Sequence, residues 1–201
     1  MVRPRTISDQ EILNTARKCF LEHGPSVSTD VIAKELGVSS QAIFKRFHSK
    51  QDLLVECVKP CGPPAWSNLV ERGPDDRPFR DQLTELLQEL AVFFTDVVRR
   101  MELIRWSGLA IEELMATFDE PPPLRDIRVI SGWLSRACEQ KLIREVDCDA
   151  TAMFILTSMH GPAMLTQMLG KPPTEHTFEE YVSQYVDLLL RGLLESNSSE
   201  A

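Results

Sequence analysis

The N-terminus lacks the apolar run of a signal peptide, because charged residues recur throughout residues 1–20. We therefore expect no signal peptide. The 201 residues show no sustained alternation of apolar and polar side chains, which argues against β-strands. Apolar residues make up 43% of the chain and charged residues 26%, values that exclude a disordered or collagen-like protein. The length is enough for one domain or two small ones, with a substantial core.

The sequence also lacks the motifs of a metal site or an enzyme. Around Cys57 and Cys61, no neighbouring His or second Cys pair completes a zinc site. The four histidines form no metal-binding pair at helical spacing, and there is no Gly-Ser elbow or phosphate-binding glycine loop. We therefore expect neither cofactor nor enzyme, although spacing alone leaves a Cys–His nucleophile open. An odd number of cysteines, five, predicts reduced thiols in the cytoplasm.

The charge is divided unevenly along the chain. Residues 1–60 hold 9 Lys or Arg and 7 Asp or Glu, a balance of +2, whereas residues 61–201 hold 13 and 23, a balance of −10. The two sum to the net charge of −8. If a polyanion is the partner, the acidic part repels it and the basic part is the side that docks.

The stretch 150–170 has no charged residue and is long enough to span a bilayer. It contains several polar side chains, however, and Gly161 and Pro162 interrupt it near the middle. This pattern favours a helix buried on nearly all sides inside protein over a membrane span. We expect no membrane association.

Glycine and proline divide the chain into segments whose apolar residues recur every three or four positions, so the fold class is predicted as all-α. Capping boxes at Ser8, Ser49 and Thr177, each with an acid three residues later, mark three helix starts. The predicted helices lie at about 8–23, 29–36, 40–47, 49–58, 78–100, 102–117, 124–140, 149–169 and 177–195.

Residues 29–47 have the pattern of a helix-turn-helix. Ala33 is small where a second helix crosses, and Gly37 ends the first helix in a left-handed conformation. Val38 and Ile43 anchor the crossing from beneath, and Ser39 caps the second helix. Because the turn is short, the second helix projects its outer face.

That outer face carries polar and basic side chains at Ser40, Gln41, Lys45 and Arg46, with the small Ala42 among them. A helix of this kind fits the major groove of DNA, where Gln pairs with adenine and Lys or Arg reaches guanine or phosphate. A helical module that binds protein instead is the alternative interpretation, and the basic face argues against it.

The surroundings of this motif resemble the TetR family of bacterial transcriptional regulators over about residues 7–58. The matching residues are Ile12, Leu13, Ala16, Phe20, Gly24, Ser28, Thr29, Ile32, Ala33, Gly37, Val38, Ser39, Ile43, Phe44, Phe47, Lys50, Leu53 and Leu54. The resemblance implies a helix-turn-helix domain at 1–58 and a helical effector-binding and dimerisation domain at 59–201. It also implies a homodimeric repressor that a small apolar or aromatic ligand releases from a palindromic operator on double-stranded DNA.

The DNA-binding candidates divide by type of contact. We expect Thr29, Arg46 and Lys50 to position phosphates, and Ser40, Gln41, Ala42 and Lys45 to read bases; the full set is Thr29, Ser39, Ser40, Gln41, Ala42, Phe44, Lys45, Arg46 and Lys50. Two residues depart from the family. Gln41 stands where Gly or Pro is frequent. Phe44 keeps the ring of the usual Tyr but lacks the hydroxyl with which that Tyr contacts a phosphate. Arg3 and Arg5 are candidates for a minor-groove arm.

The remaining candidates lie in the acidic part of the chain. The helices at about 149–169 and 178–195 carry broad apolar stripes, which favours a homodimer through a four-helix bundle. For the effector pocket that the resemblance implies, the candidates are Phe94, Trp106, Trp133 and His160. Trp106 and Trp133 are selected because a large indole is awkward to bury fully without a polar partner. Aromatic residues at this spacing also fill ordinary cores, so this alternative stays open.

Overall fold

The computed structural model describes residues 7–59, 62–108 and 110–193, and these residues form ten helices and no strand. The all-α prediction is therefore confirmed. The helices are α1 Asp9–His23, α2 Thr29–Leu36, α3 Ser40–Phe44, α4 Lys50–Val58, α5 Ala65–Arg72, α6 Phe79–Ser107, α7 Ile111–Met115, α8 Pro122–Glu139, α9 Cys148–Leu169 and α10 Phe178–Leu193.

Three helices start at the caps that the sequence predicts. The Ser8 hydroxyl accepts a hydrogen bond from the Glu11 amide at 3.2 Å, and the Glu11 carboxylate accepts one from the Ser8 amide at 2.9 Å. Thr177 and Glu180 make the same reciprocal pair, at 3.2 and 2.8 Å. The Ser49 hydroxyl caps the first turn of α4 at 3.0 Å. These bonds satisfy amides that have no partner within their helices.

Two features differ from the sequence prediction. The helices predicted at 78–100 and 102–117 are instead one 29-residue helix, α6, followed by the short α7. No Gly or Pro lies within α6, and Gly108, with φ of 76°, follows its end. Helix α5 was not predicted, because it is short and lies between prolines and glycines that favour a loop.

The chain divides into two compact units. The N-terminal unit comprises the chain up to Pro63 together with Arg99–Phe118, and the C-terminal unit comprises Pro64–Val98 and the chain from Asp119 onwards. Helix α6 therefore contributes its last residues to the N-terminal unit and the rest to the C-terminal unit. The sequence domains 1–58 and 59–201 remain a prediction.

The core of the N-terminal unit is built mainly from α1 to α4. The side chains of Phe20, Ile32 and Ile43 are fully buried in it. Helix α1 packs on α2 and α4, and α2 packs on α3. The Arg17 guanidinium donates to the Cys57 carbonyl at 2.8 Å, which ties the middle of α1 to the end of α4.

The core of the C-terminal unit includes the packing of α8 on α9 and on α5. Trp66 and Trp133 are both buried in it, and Trp133 stacks on Phe79 with ring centroids 5.0 Å apart. The Arg136 guanidinium donates to the Val70 carbonyl, which links α8 to the end of α5.

The uncharged stretch 150–170 forms most of α9 and is buried along one face. That face packs into the core through Ala152, Ile155, Leu156 and Met159. The other apolar side chains of α9 are exposed: Met153, Phe154, Met164, Leu165, Met168 and Leu169. The expectation of a helix buried on nearly all sides is therefore wrong for the single chain. In the described part of the chain, no helix combines the length and hydropathy needed to cross a bilayer.

Candidate nucleic-acid interface

The turn between α2 and α3 has the geometry that its residues predict. Gly37 adopts the left-handed conformation, with φ of 68° and ψ of 33°. The amides of Gly37 and Val38 both donate to the Ala33 carbonyl, the latter at 3.0 Å. Glycine adopts this conformation without strain, so Gly37 ends α2 and turns the chain toward α3.

Ser39 starts the second helix of the motif. Its hydroxyl accepts a hydrogen bond from the Ala42 amide at 3.3 Å. Helix α3 itself has five residues, shorter than the predicted 40–47. The Lys45 amide donates to the Gln41 carbonyl at 3.0 Å and the Phe47 amide donates to the Ile43 carbonyl at 2.9 Å, so helical turns continue through residue 47. We call residues 40–47 the recognition segment.

The recognition segment has a buried side and an exposed side. Ile43 is fully buried and Phe47 nearly so, which fixes the segment on the core of the N-terminal unit. The exposed side chains are those of Gln41, Ala42, Phe44, Lys45 and Arg46. The polar side chains that the sequence places on the outer face are thus accessible to a partner.

Gln41 and Lys45 lie one helical turn apart on this exposed side. Within the described residues, neither side chain makes a hydrogen bond or an ion pair. An amide and an ammonium group presented in this way keep all their hydrogen-bonding capacity for a ligand.

Ser40 and Arg46 differ, because each is bonded inside the chain. The Ser40 hydroxyl donates to the Asp30 carboxylate on α2. Arg46 Nη1 donates to the Ile7 carbonyl at 2.5 Å and to Asp9 Oδ1 at 2.8 Å. Sequence reasoning missed both carboxylates, because these contacts join residues 10 and 37 positions apart and depend on the fold.

The other DNA-binding candidates lie at helix starts or outside the described residues. Thr29 is the first residue of α2 and is only 7% exposed, so its hydroxyl is not presented for the phosphate contact that the sequence predicts. Lys50 is the first residue of α4 and is half-buried. Arg3 and Arg5 lie outside the described residues.

Two ligand candidates meet in the C-terminal unit. The ring centroids of Phe94 and His160 lie 5.1 Å apart, and those of Phe93 and Phe94 lie 5.2 Å apart, so the three rings form a row. Trp66 meets Phe93 edge to face at 6.0 Å. Its indole Nε1 is buried and has no hydrogen-bond partner among the described residues. Trp66 was not chosen from the sequence, although an indole without a polar partner was the criterion used for the other tryptophans.

The remaining ligand candidates do not join this row. Trp133 stacks on Phe79 and borders a separate cleft of about 160 Å³, whose lining includes Arg77 and Glu85. Trp106 belongs to α6, but its side chain lies outside the described residues. Burial lowers the pKa of His160 from its ordinary value of 6.5, so its imidazole is neutral at pH 7. A neutral imidazole offers one donor and one acceptor.

The thiols are divided between the two units. Cys19 and Cys57 are buried in the N-terminal unit, and Cys61 lies outside the described residues. In the C-terminal unit, burial and the neighbouring Cys138 raise the pKa of Cys148 to about 11. No three His, Cys, Asp or Glu side chains cluster closely enough for a metal ion in the part of the chain that is described.

Comparison with known proteins points in the same direction as the geometry. Residues 12–57 match the family model described as "Bacterial regulatory proteins, tetR family". No curated protein matched the sequence.

Solved structures share the fold along nearly the whole chain. A protein described as a TetR-family transcriptional regulator from Mesorhizobium loti MAFF303099 is 17% identical, with 93% of this chain and 96% of that chain covered and a TM-score of 0.75. A TetR transcription regulator from Haloarcula marismortui ATCC 43049 is 18% identical, with coverages of 92% and 97% and a TM-score of 0.67. The flavonoid-responsive regulator FrrA is 23% identical, with coverages of 92% and 96% and a TM-score of 0.58.

The family match spans the helix-turn-helix and the helices that support it, and the structural likeness extends the fold to the C-terminal unit. The first two of these structures are described as regulators of transcription. The helix-turn-helix part of the chain is therefore similar to the TetR family of bacterial regulatory proteins, and the chain as a whole shares the fold of solved structures described as TetR-family transcriptional regulators.

Proposed function

We propose that the chain is a cytoplasmic, homodimeric repressor that binds a palindromic operator through the recognition segment and releases it when a small aromatic or apolar ligand binds. The observation that carries this proposal is the two-sided recognition segment. Gln41 and Lys45 are exposed and unbonded among the described residues, whereas Ile43 beneath them is fully buried. A firmly seated helical segment with a polar outer side fits the major groove.

Each exposed side chain has a distinct role in this proposal. The Gln41 amide pairs with an adenine edge, and the Lys45 ammonium reaches guanine or phosphate. Ala42 allows close approach, and the exposed ring of Phe44 is suited to apolar contact with a thymine methyl group. Lys50, the first residue of α4, positions a phosphate in this proposal.

The dimer proposal starts from how α9 and α10 pack. The Tyr181 hydroxyl donates to the Ser158 carbonyl at 2.9 Å, and the Tyr185 hydroxyl donates to the Phe154 carbonyl at 3.1 Å. The later residue of α10, Tyr185, bonds the earlier residue of α9, Phe154. The two helices therefore run antiparallel. Pro162 has no amide hydrogen for the Ser158 carbonyl, so the Tyr181 hydroxyl takes its place.

This helix pair leaves a large apolar surface in the single chain. Phe154 is 67% exposed, Met168 72% and Leu188 68%. On α9 the exposed apolar residues recur at helical spacing, so they form a stripe along the helix. A second copy related by a two-fold axis would cover this stripe in a four-helix bundle.

Selection of bound fragments from random duplex DNA tests the proposal. A symmetric dimer should select a palindrome with half-sites about one helical turn apart. Affinity for the selected duplex should fall steeply as salt rises, because bound phosphates release counterions. A chain that selects no duplex, or binds without dependence on salt, contradicts the proposal and favours a protein-binding module.

The effector part of the proposal depends on the ring row Trp66, Phe93, Phe94 and His160. Its rings lie 5–6 Å apart, and it ends in a half-buried, neutral His. The unpartnered indole N–H of Trp66 is a donor that a ligand oxygen would satisfy. A planar aromatic molecule with an oxygen acceptor matches these features, and one structural neighbour, FrrA, is described as flavonoid-responsive.

A flavonoid is therefore the first probe to test for operator release. Its binding should quench tryptophan emission and weaken operator binding, and Phe94→Ala should reduce both effects. For a release to occur, the probe must bind the DNA-free state more tightly than the DNA-bound state. If the selected operator stays bound at saturating flavonoid, and other planar aromatic acceptors behave alike, the effector proposal is wrong.

A further inference from the structure

Both ends of the recognition segment are bonded to carboxylates from other helices. At its start, the Ser40 hydroxyl donates to Asp30 on α2. At its end, Arg46 donates to Asp9 at 2.8 Å and to the Ile7 carbonyl at 2.5 Å. Between these two ends, Gln41, Ala42, Phe44 and Lys45 are exposed. The segment is therefore held in place before any DNA is present.

The Arg46 contacts use one end of the guanidinium completely. Nη1 has two hydrogens, and both bonds come from this nitrogen. Ile7 is 5% exposed and belongs to the core of the N-terminal unit, so its carbonyl is a fixed point. The Arg46 side chain is only 35% exposed. Its main contacts thus lie within the chain.

Lys45 is a natural reference for Arg46. The two cations are adjacent in sequence and both are exposed, yet only Arg46 has partners among the described residues. An exposed ammonium without a partner loses little by turning to a phosphate. A guanidinium that turned away would leave Asp9 and the Ile7 carbonyl without their donor.

We infer that Arg46 and Ser40 are positioning residues, which act on DNA binding through Asp9 and Asp30, and that Gln41 and Lys45 make the direct contacts. This inference rests on the proposed DNA-binding face and revises the roles within it. Fixing the segment in advance reduces the conformational freedom that is lost when DNA binds. The two carboxylates therefore favour binding although they carry the charge that DNA repels.

Whether removal of the Asp9 carboxylate tightens or weakens DNA binding distinguishes this positioning role from simple repulsion between charges. Removing a carboxylate near DNA should tighten binding if repulsion of phosphates is its main effect. It should also tighten binding if Arg46 is thereby freed to reach a phosphate. If Asp9 instead positions the segment through Arg46, its removal weakens binding.

The experiment measures affinity for the operator duplex selected by the wild-type chain, over a range of salt concentrations, for D9A, R46A, the double variant D9A/R46A, K45A and D52A. Asp9→Ala and Arg46→Ala should each weaken binding by about fivefold, the upper range for an exposed ion pair. The double variant should bind no more weakly than Arg46→Ala, because the two act as one unit. Asp52→Ala removes an exposed first-turn carboxylate and should bind as the wild type or tighter.

The salt dependence gives an independent readout. Lys45→Ala should reduce the slope of log affinity against log salt by about one, as the loss of a phosphate contact does. Arg46→Ala should leave that slope unchanged. Thermal melts confirm that each variant is folded, and Asp30→Ala, expected to weaken binding as well, replaces Asp9→Ala if the latter unfolds.

Three results would overturn the inference. Tighter binding by Asp9→Ala would show that repulsion dominates. A reduced slope for Arg46→Ala would make it a phosphate contact, and additive losses in the double variant would show that the two residues act separately. A wild-type chain that binds no duplex is a different outcome, because it removes the proposed function itself and the positioning role with it.

Discussion

The two compact units differ in how their apolar side chains are exposed to solvent. Among the described residues of the N-terminal unit, the exposed large apolar ones are single residues: Leu21, Val31 and Phe44, each 40% exposed, and Ile111, 56% exposed. In the C-terminal unit, Phe154, Met168 and Leu188 are exposed by two thirds or more, and those on α9 belong to a stripe. Isolated apolar residues are normal on protein surfaces, whereas a continuous stripe marks an interaction site.

The difference supports the proposal that the two units bind different partners. A polar, partly basic surface on a well-filled core is suited to a charged, hydrated partner such as DNA. An apolar stripe is suited to a surface of the same kind, and a second copy of this chain provides one. The division of labour can be tested by substitutions that affect one unit and should spare the other.

The largest effect is expected for Phe154→Glu, which places a charge in the apolar stripe. Burying an unpaired carboxylate between two copies is costly, so the dimer should dissociate. Because binding through two linked half-sites adds about 10²- to 10⁴-fold to affinity, operator binding should fall by a factor in this range. Sedimentation gives the oligomeric state, and titration with the selected duplex gives the affinity.

Val92→Glu is the matched control for Phe154→Glu. Val92 is 68% exposed, also lies in the C-terminal unit and is not on α9 or α10. It introduces the same charge at an equally exposed apolar position. If Val92→Glu dissociates the dimer and Phe154→Glu does not, the interface has been assigned to the wrong helices.

A second effect should be confined to the N-terminal unit. Ile43 is fully buried under the recognition segment, so Ile43→Ala should destabilise this unit by about 2–5 kcal/mol through lost burial and a cavity. Urea unfolding measures the loss, and sedimentation should still show a dimer. Val31→Ala, at a 40% exposed position on α2, should cost much less. Equal losses for the two would contradict the buried placement of Ile43.

A third pair of substitutions divides the DNA-binding surface itself. Gln41→Ala should relax the preference at one base pair, a loss of about 1–3 kcal/mol for the preferred base. Lys50→Ala should weaken binding to all sequences alike and reduce the slope of log affinity against log salt concentration by about one. Binding to a panel of single-base operator variants distinguishes the two. If both substitutions weaken all sequences equally, Gln41 does not read a base.

The local features of the helix-turn-helix could be predicted from the sequence, because each depends on neighbouring residues. Gly37 is left-handed, Ser39 caps α3 and Ile43 is buried, as their positions in the motif predict. The contacts of Arg46 with Asp9 could not be predicted. No periodicity or capping rule links residues 37 positions apart, so that contact is visible only once α1 and the recognition segment are packed.

The C-terminal unit was predicted less well, because its side chains obey no local rule of comparable strength. The need of a buried indole for a polar partner predicts Trp133 as a ligand contact, yet among the described residues the indole without a partner is that of Trp66. Which tryptophan meets a partner depends on how α5, α6 and α8 pack. Phe94 and His160 are adjacent in the fold, although 66 positions separate them in the sequence.

The smallest effect is expected when the pH is lowered, and it should be a loss of stability in the C-terminal unit. Burial lowers the pKa of His160 below its ordinary 6.5, so the unfolded chain binds this proton more readily than the folded chain. Its contribution to stability is therefore complete above pH 6.5 and is lost as the pH falls toward the folded value. Solvent screening at this half-buried site keeps the effect small. Urea unfolding of the C-terminal unit at pH 7 and pH 5 should show a smaller loss of stability for His160→Gln than for the wild type. Equal acid sensitivity of the two proteins would place the titrating group elsewhere.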